Sequence, residues 1–268
     1  MTPWLELCRA AVGDVERVLT ELPTRAEREH VVGAGHGGDE TTAVDAAAEA
    51  AIVARLERLH EQGLEFTLVS EELGERPFGA GPLRVVVDPI DGSNNAKRGI
   101  RFFSFSFAVA EGDTMDDVVF GFVHDFGTGE EWTATHGIGA FLDGRGLDGA
   151  LPKDRLEMLV FEATDTETVA EKAAAMVGVA HRLRVMGSLA LSLCHLAAGR
   201  VDGVCSLKEA RAVDIAAAQL LVRERGLAVD LPDAPPFGRA PLDNARRSRV
   251  VAARTHELCA DLVAALSG

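Results

Sequence analysis

Hydrophobic residues along this chain fall into three patterns, and each pattern predicts a different element. Over residues 2–22, Trp4, Cys8, Ala11, Val15 and Leu19 lie on one face of a 3.6-residue repeat, which predicts a helix. Residues 42–60 repeat the pattern with Val44, Ala48, Ile52, Leu56 and Leu59, and Gly63 stops that helix. Strand-like runs follow at 64–69, 83–87, 102–110, 118–123, 131–135 and 140–142. Among them Phe103, Phe105 and Phe107 alternate with Ser104 and Ser106, the period of a sheet with one face on a hydrophobic layer. Val85-Val86-Val87 is instead a continuous β-branched run, expected of a strand buried on both faces. The later chain interleaves short strands (156–161, 182–185, 201–205, 227–229, 250–251) with helices (166–178, 188–198, 213–225, 255–266). The reading is α+β with an antiparallel sheet for residues 1–150 and α/β for residues 151–268. The boundary is placed near 145–155, around Gly144, Gly146, Gly149 and Pro152.

Composition narrows the function. The 268 residues are 47% hydrophobic, enough for one large core or two smaller ones. A net charge of −15 disfavours nucleic acid or an anionic membrane as partner. No apolar run is long enough to span a membrane, and the N-terminus carries no basic-then-apolar leader, so a cytoplasmic protein is expected. Cys8, Cys194, Cys205 and Cys259 show no C-x-x-C spacing and are expected as reduced thiols. Glycine pairs such as Gly35–Gly38 lack the strand–turn–helix frame of a dinucleotide site. His195 reads as a satisfied core residue, and Arg246-Arg247-Ser248-Arg249 as a basic patch too small for nucleic acid.

The chemistry concentrates in Val85–Ser93. Proline cannot continue a ladder, so the valine strand is expected to turn after Asp88-Pro89 and to deliver Asp88 and Asp91 to one place. Gly92 and Ser93 follow, with N–H groups able to face an anion. Two acids beside an anion nest repel an anionic substrate unless a divalent cation lies between them. Glu71, just after a predicted strand, Asp214 at a predicted helix start, and Asp45 with Glu49 one turn apart add further oxygens. Each has an ordinary alternative: Asp45 as half of a capping box with Thr42, Asp214 as a helix-dipole partner, and Glu71-Glu72 as a solvated loop.

The segment Asp88-Pro89-Ile90-Asp91-Gly92-Ser93-Asn94-Asn95 resembles the D-P-I/L-D-G-S/T-x-N signature of the inositol monophosphatases. Further segments resemble the family's motifs in the same order: Thr42-x-x-Asp45-x-x-x-Glu49, Glu71-Glu72, Gly121–Val123 through Gly137–Phe141, Gly187-Ser188 and Ala212-Val213-Asp214. The resemblance implies a five-layered αβαβα sandwich and Mg²⁺-dependent, commonly Li⁺-inhibited, hydrolysis of sugar or polyol phosphates by a homodimer. It assigns Glu71, Asp88 and the Ile90 carbonyl to one ion, Asp88, Asp91 and Asp214 to a second, and a weaker third ion near Glu71. Ser93 and Asp45 would orient and deprotonate the attacking water. Phosphate would rest on the N–H groups of Gly92 and Ser93, and Asp91, Gly187, Ser188 and Arg211 would contact the rest of the substrate.

Two departures bear on the substrate. Many inositol-phosphate members carry a glutamate seven residues before the last metal aspartate. Here that position is Leu207, with Glu209 nearby. The glycine-rich loop Gly33–Gly38 has no lysine, and Lys97-Arg98 is expected to face solvent. The main expectation is an inositol 1-phosphate phosphatase with relaxed selectivity. Fructose-1,6-bisphosphatase activity, alone or combined, is the first alternative, then a nucleotide 3′-phosphatase. A non-catalytic phosphate-binding scaffold is the alternative from another class.

Overall fold

Every apolar face in the sequence needs a covering surface, and the chain supplies it by stacking helices and sheets. The computed structural model describes residues 3–36, 40–148, 155–162, 165–234 and 236–267. In chain order come helices α1 (Pro3–Glu21) and α2 (Arg25–Arg28), the hairpin β1 (Val31–Ala34) and β2 (Glu40–Thr42), and helix α3 (Ala43–Glu61). Strands β3 (Phe66–Ser70), β4 (Gly74–Phe78) and β5 (Leu83–Asp91) lead into the short helix α4 (Ser93–Arg98). Strands β6 (Ser104–Ala110), β7 (Val118–Asp125), β8 (Glu131–Thr135), β9 (Gly139–Leu142) and β10 (Arg145–Gly146) follow. Then come β11 (Leu156–Glu162), α5 (Thr166–Ala175), β12 (Ala180–Val185), α6 (Leu189–Ala197) and β13 (Gly203–Ser206). The last are α7 (Ala212–Glu224), β14 (Ala228–Asp230), β15 (Val251–Ala253) and α8 (His256–Ser267).

The layers follow from which side chains meet. Cys8, Val15, Ile52 and Leu56 of α1 and α3 pack on Phe66, Val85, Val87, Phe105 and Phe107. These cover one face of an eight-stranded sheet ordered β10-β9-β8-β7-β6-β5-β3-β4. Its other face, with Val86 and Trp132, meets Leu191, Leu196, Ile215 and Leu220 of α6 and α7. The far side of those helices packs on Val160, Val204 and Ala252 of a five-stranded sheet ordered β12-β11-β13-β15-β14. Helix α8 closes the outer face of that sheet through Cys259 and Leu262 against Leu159, Phe161 and Val251, and Ala173 of α5 packs on the same cluster. This is the five-layered αβαβα sandwich that the sequence resemblance implies. The valine run behaves as expected, Val85 and Val87 facing one helix layer and Val86 the other.

The structure corrects several local expectations. The first sheet is mixed: β3 and β5 are parallel, because β4 takes the antiparallel place at β3's outer edge. The second sheet is mixed too, with β11 parallel to β12 and β13 but β15 antiparallel to β13 and β14. Both faces of β6 are covered, since Ser104 and Ser106 are as buried as the phenylalanines. Pro89 does not end its strand. Pairing with β6 skips from Asp88–Ser106 to Asp91–Ser104, and the proline, which has no N–H to pair, sits in that irregularity. Gly33 belongs to β1 rather than a loose loop, while Gly37 and Gly38 lie outside the described residues, as do Gly149 and Pro152 of the expected domain boundary. All four cysteines are buried free thiols. No helix among the described residues is long and apolar enough to cross a membrane.

Candidate active site

The parallel pairing of β3 with β5 builds the site. Ser70 stands opposite Val87, so the residues that follow, Glu71 and Asp88, emerge side by side at one sheet edge. In the second sheet Glu162 stands opposite Ser206, at the ends of β11 and β13. These edges face a cavity of about 480 Å³, and its lining includes Asp45, Glu71, Asp88, Ile90, Asp91, Gly92, Ser93, Gly187, Arg211 and Asp214. Of the candidate site residues, Ser188 and Glu49 are not among its lining, and the others are brought to one place. Two glycines let the loops meet. A Cβ on Gly92 would sit 2.8 Å from the Gly187 carbonyl oxygen, and one on Gly187 would sit 2.7 Å from Asn95 Nδ2. Both residues also hold positive φ, 93° and 98°. Asn95 Nδ2 donates to the carbonyls of Phe102 and Met186, both at 2.8 Å, which ties the two halves of the chain beside the cavity.

Each acid is held in place. Asp88 Oδ1 accepts the Ile90 N–H at 2.9 Å, a two-residue turn around Pro89. Asp91 Oδ2 accepts the Ala190 N–H at 2.9 Å and the Ser188 hydroxyl. Ser188 also caps α6, so it is buried behind Asp91 rather than presented to a substrate as expected. Its hydroxyl is spent on orienting that aspartate. Asp214 Oδ2 accepts the Arg211 backbone N–H at 2.7 Å, the N-terminal cap of α7, while the same side chain lines the cavity. A role at the N-terminus of α7 and a place in the cavity are therefore compatible for Asp214. Arg211 reaches over to ion-pair with Glu71 and lies 3.7 Å from Asp214 Oδ1.

Burial, and then mutual repulsion, push these carboxyls toward the neutral form. Burial lifts Glu71 to about 8, with Asp214 and Glu72 adding to it although Arg211 opposes. Asp88 rises well above the carboxylate range, first by burial and then by Glu71, Asp91 and Asp214. Burial lifts Asp91 to about 6 and raises Asp214 as well. Burial alone would lower Arg211, but Asp214, Glu71 and Asp88 carry it upward. Arg211, helped at Asp214 by Arg247, does not balance this much negative charge.

Asp45 stands differently from a plain helix cap. Thr42 makes no side-chain cap to α3; its hydroxyl donates to Asp45 Oδ2 at 2.6 Å, and Lys97 Nζ lies 3.0 Å from the same oxygen. Asp45 Oδ1 is buried and has no hydrogen-bond partner. The Ser93 hydroxyl donates to the Ile90 carbonyl at 3.0 Å, not to Asp45. Lys97, expected to face solvent, lines the cavity with its side chain only 14% exposed, whereas Arg98 does stay exposed. Lys97 is four residues after Ser93, one helical turn on, but α4 is too short to announce itself by a periodic pattern. Glu162 was also missed. It lines the cavity, accepts the Gly187 N–H at 2.9 Å and the Ser192 hydroxyl at 2.6 Å, and burial lifts it to about 7. Leu207 packs with the outer core, and Lys208, Glu209 and Arg247 line the cavity instead.

Among the described residues no histidine or cysteine lines the cavity, so its metal-binding donors are oxygens, the set that suits a hard divalent cation. Among the described residues no three metal-binding side chains are gathered tightly enough to grip an ion as they stand. The donor chemistry and the excess of buried acid nevertheless fit such ions. Acids at two sheet edges, a glycine-opened turn and an arginine are the equipment of a hydrolase acting on phosphate monoesters. Residues 3–267 match the sequence pattern of the inositol monophosphatase family, and the chain belongs to that family. A relative named fructose-1,6-bisphosphatase/inositol-1-monophosphatase, from Methanothermobacter thermautotrophicus, is 33% identical over 234 residues, 83% of this chain and 82% of the relative. A solved inositol monophosphatase–fructose 1,6-bisphosphatase superposes with a TM-score of 0.84 at 26% identity, covering 98% of this chain and 100% of that one. A Pyrococcus horikoshii protein, described as having similarities to inositol-1 monophosphatase, shares the fold with a TM-score of 0.82 at 24% identity, covering 98% and 97%. The chain is a phosphoric monoester hydrolase.

Proposed function

We propose that this protein is a Mg²⁺-dependent sugar-phosphate phosphatase that hydrolyses both inositol 1-phosphate and fructose 1,6-bisphosphate. The observation that carries the reading is the set of four carboxylates, Glu71, Asp88, Asp91 and Asp214, lining one cavity beside Arg211, with Asp88 and Asp91 buried. Dual names among the relatives support the pair of substrates. Glu71, Asp88 and the Ile90 carbonyl would hold one ion, Asp88, Asp91 and Asp214 a second, and Glu71 would border a weaker third. Bound there, Mg²⁺ would offset the acids and polarise the phosphoryl oxygens. Asp45 accepts the proton of the attacking water, with Ser93 beside it as the second group that orients this water. The N–H groups of Gly92 and Ser93 receive the phosphate. Gly187 and Arg211 face the remainder of the substrate, where Arg211's rigid donor fork suits hydroxyls or a second phosphate. Residues 1–150 supply most of the ligands and residues 151–268 complete the substrate side, in a cytoplasmic homodimer.

The test is phosphate release by the purified protein from each substrate, with Mg²⁺ and with EDTA. Both substrates should be hydrolysed, and EDTA should abolish the activity. Strict selectivity for inositol 1-phosphate, or turnover that EDTA leaves intact, overturns the proposal.

A further inference from the structure

Resting on the phosphatase reading above, we propose that Lys97 is a positioning residue for Asp45: it fixes one carboxylate oxygen so that the other is left to take the proton of the attacking water. Two donors, the Lys97 ammonium at 3.0 Å and the Thr42 hydroxyl at 2.6 Å, converge on Asp45 Oδ2. Nothing bonds to Oδ1, although it is buried. A carboxylate with both donors on one oxygen cannot rotate without breaking two hydrogen bonds in a buried place, where they are hard to replace. The asymmetry therefore selects Oδ1 as the acceptor.

The charge balance around the ammonium points the same way. Glu40 of β2, Glu71 and Glu72 after β3, and Asp88 and Asp91 of β5 line the cavity with Asp45 and Lys97. On its own element Lys97 neighbours Arg98, which turns outward toward Glu29 at 4.0 Å. Among so many acids, a cation dedicated to Asp45 keeps that carboxylate apart from the group that gathers at Arg211. Residue choice adds to the case. The chain has only four lysines, at 97, 153, 172 and 208, and two of them line this cavity in a protein that otherwise relies on arginine. A compact ammonium on a flexible stem can reach a single carboxylate oxygen. The glycine-rich loop carries no lysine that could perform the same task.

The experiment compares Lys97→Met, Lys97→Arg, Asp45→Asn and the Lys97→Met/Asp45→Asn double variant with the parent, by steady-state kinetics at saturating Mg²⁺, after thermal melts and calorimetric binding of inorganic phosphate. Lys97→Met should lower kcat by roughly 10- to 100-fold while KM and phosphate affinity change by less than about threefold. Lys97→Arg, which keeps a donor on the carboxylate, should recover activity to within about fivefold of the parent. Asp45→Asn should lose more than Lys97→Met, and adding the lysine change to it should cost nothing further. Three results would overturn the proposal: a rise in KM with kcat intact, additive losses in the double variant, or no loss at all. A Lys97→Met variant that fails to fold leaves the decision to Lys97→Arg, whose falling below about one-tenth of parental kcat overturns the proposal. An inactive parent overturns the phosphatase reading itself, which separates that failure from a failure of the lysine's role alone.

Discussion

At the scale of single residues, the central object is Asp88. It is buried, it accepts the N–H of Ile90, and three other acids raise it. Replacing it with asparagine keeps the shape and removes a charge that two ions would share, so kcat should fall by ~10³-fold or more. Circular dichroism should show the fold intact, because one source of repulsion has gone. Activity within tenfold of the parent at saturating Mg²⁺ would refute the assignment. The signature around Asp88 was legible in the sequence because adjacent acids after a valine run are costly without a purpose. Ser188 and Lys97 were not. Whether a hydroxyl faces a cavity or an aspartate behind it depends on tertiary placement, and the six-residue helix that turns Lys97 inward has no apolar repeat to reveal it.

At the scale of elements, two joints decide how the site is held. Glu49 on α3 lies against the turn after β3, facing the backbone N–H groups of Leu73 and Glu72. Burial first, and then the charge of Glu72, lift it from the ordinary 4.5 to about 7. A carboxyl raised in the folded state favours folding fully below its unfolded value, and that contribution is lost as pH climbs through about 7. Glu49→Gln should therefore raise Tm at pH 8 and leave it nearly unchanged at pH 5, as differential scanning calorimetry would register; equal shifts at both pH values would contradict the argument. The second joint is Gly187, where a methyl group would press on Asn95 and meet a positive φ. Gly187→Ala should cost about 1–3 kcal/mol in chemical denaturation and loosen the contact between the halves. The long helices and most strands were legible from periodicity, while the short α2 and α4 were not. The exceptions are instructive: β4, Gly74–Phe78, is polar and carries Pro77 because it is an edge strand, and its place outside β3 makes β3 and β5 parallel. Pairing partners of that kind leave no trace in a single strand's pattern.

For the whole molecule, the middle helix layer matters most. Helices α6 and α7 share one core with both sheets, so neither sheet keeps its inner face covered if the other unfolds. A single cooperative melting transition is expected, with calorimetric and van't Hoff enthalpies in agreement. The cavity gathers acids from both sheets, among them Glu71, Asp88, Asp91 and Glu162, in a chain already at −15. Cation binding there should stabilise the entire molecule, since the unfolded chain disperses the same acids. At a Mg²⁺ concentration about a hundredfold above Kd, the gain should be roughly 2.7 kcal/mol. For a chain of this size, that gain should move Tm upward by about 5–10 °C. The sign follows from linkage: ligand that binds the folded form raises Tm, and EDTA returns it to the metal-free value. Asp214→Asn should blunt the Mg²⁺-induced rise while keeping the α7 cap, because asparagine still accepts the Arg211 N–H. Sodium chloride at matched ionic strength serves as the control. If it raises Tm as far as Mg²⁺ does, the effect is general screening of an acidic surface and not occupancy of a site built by both sheets.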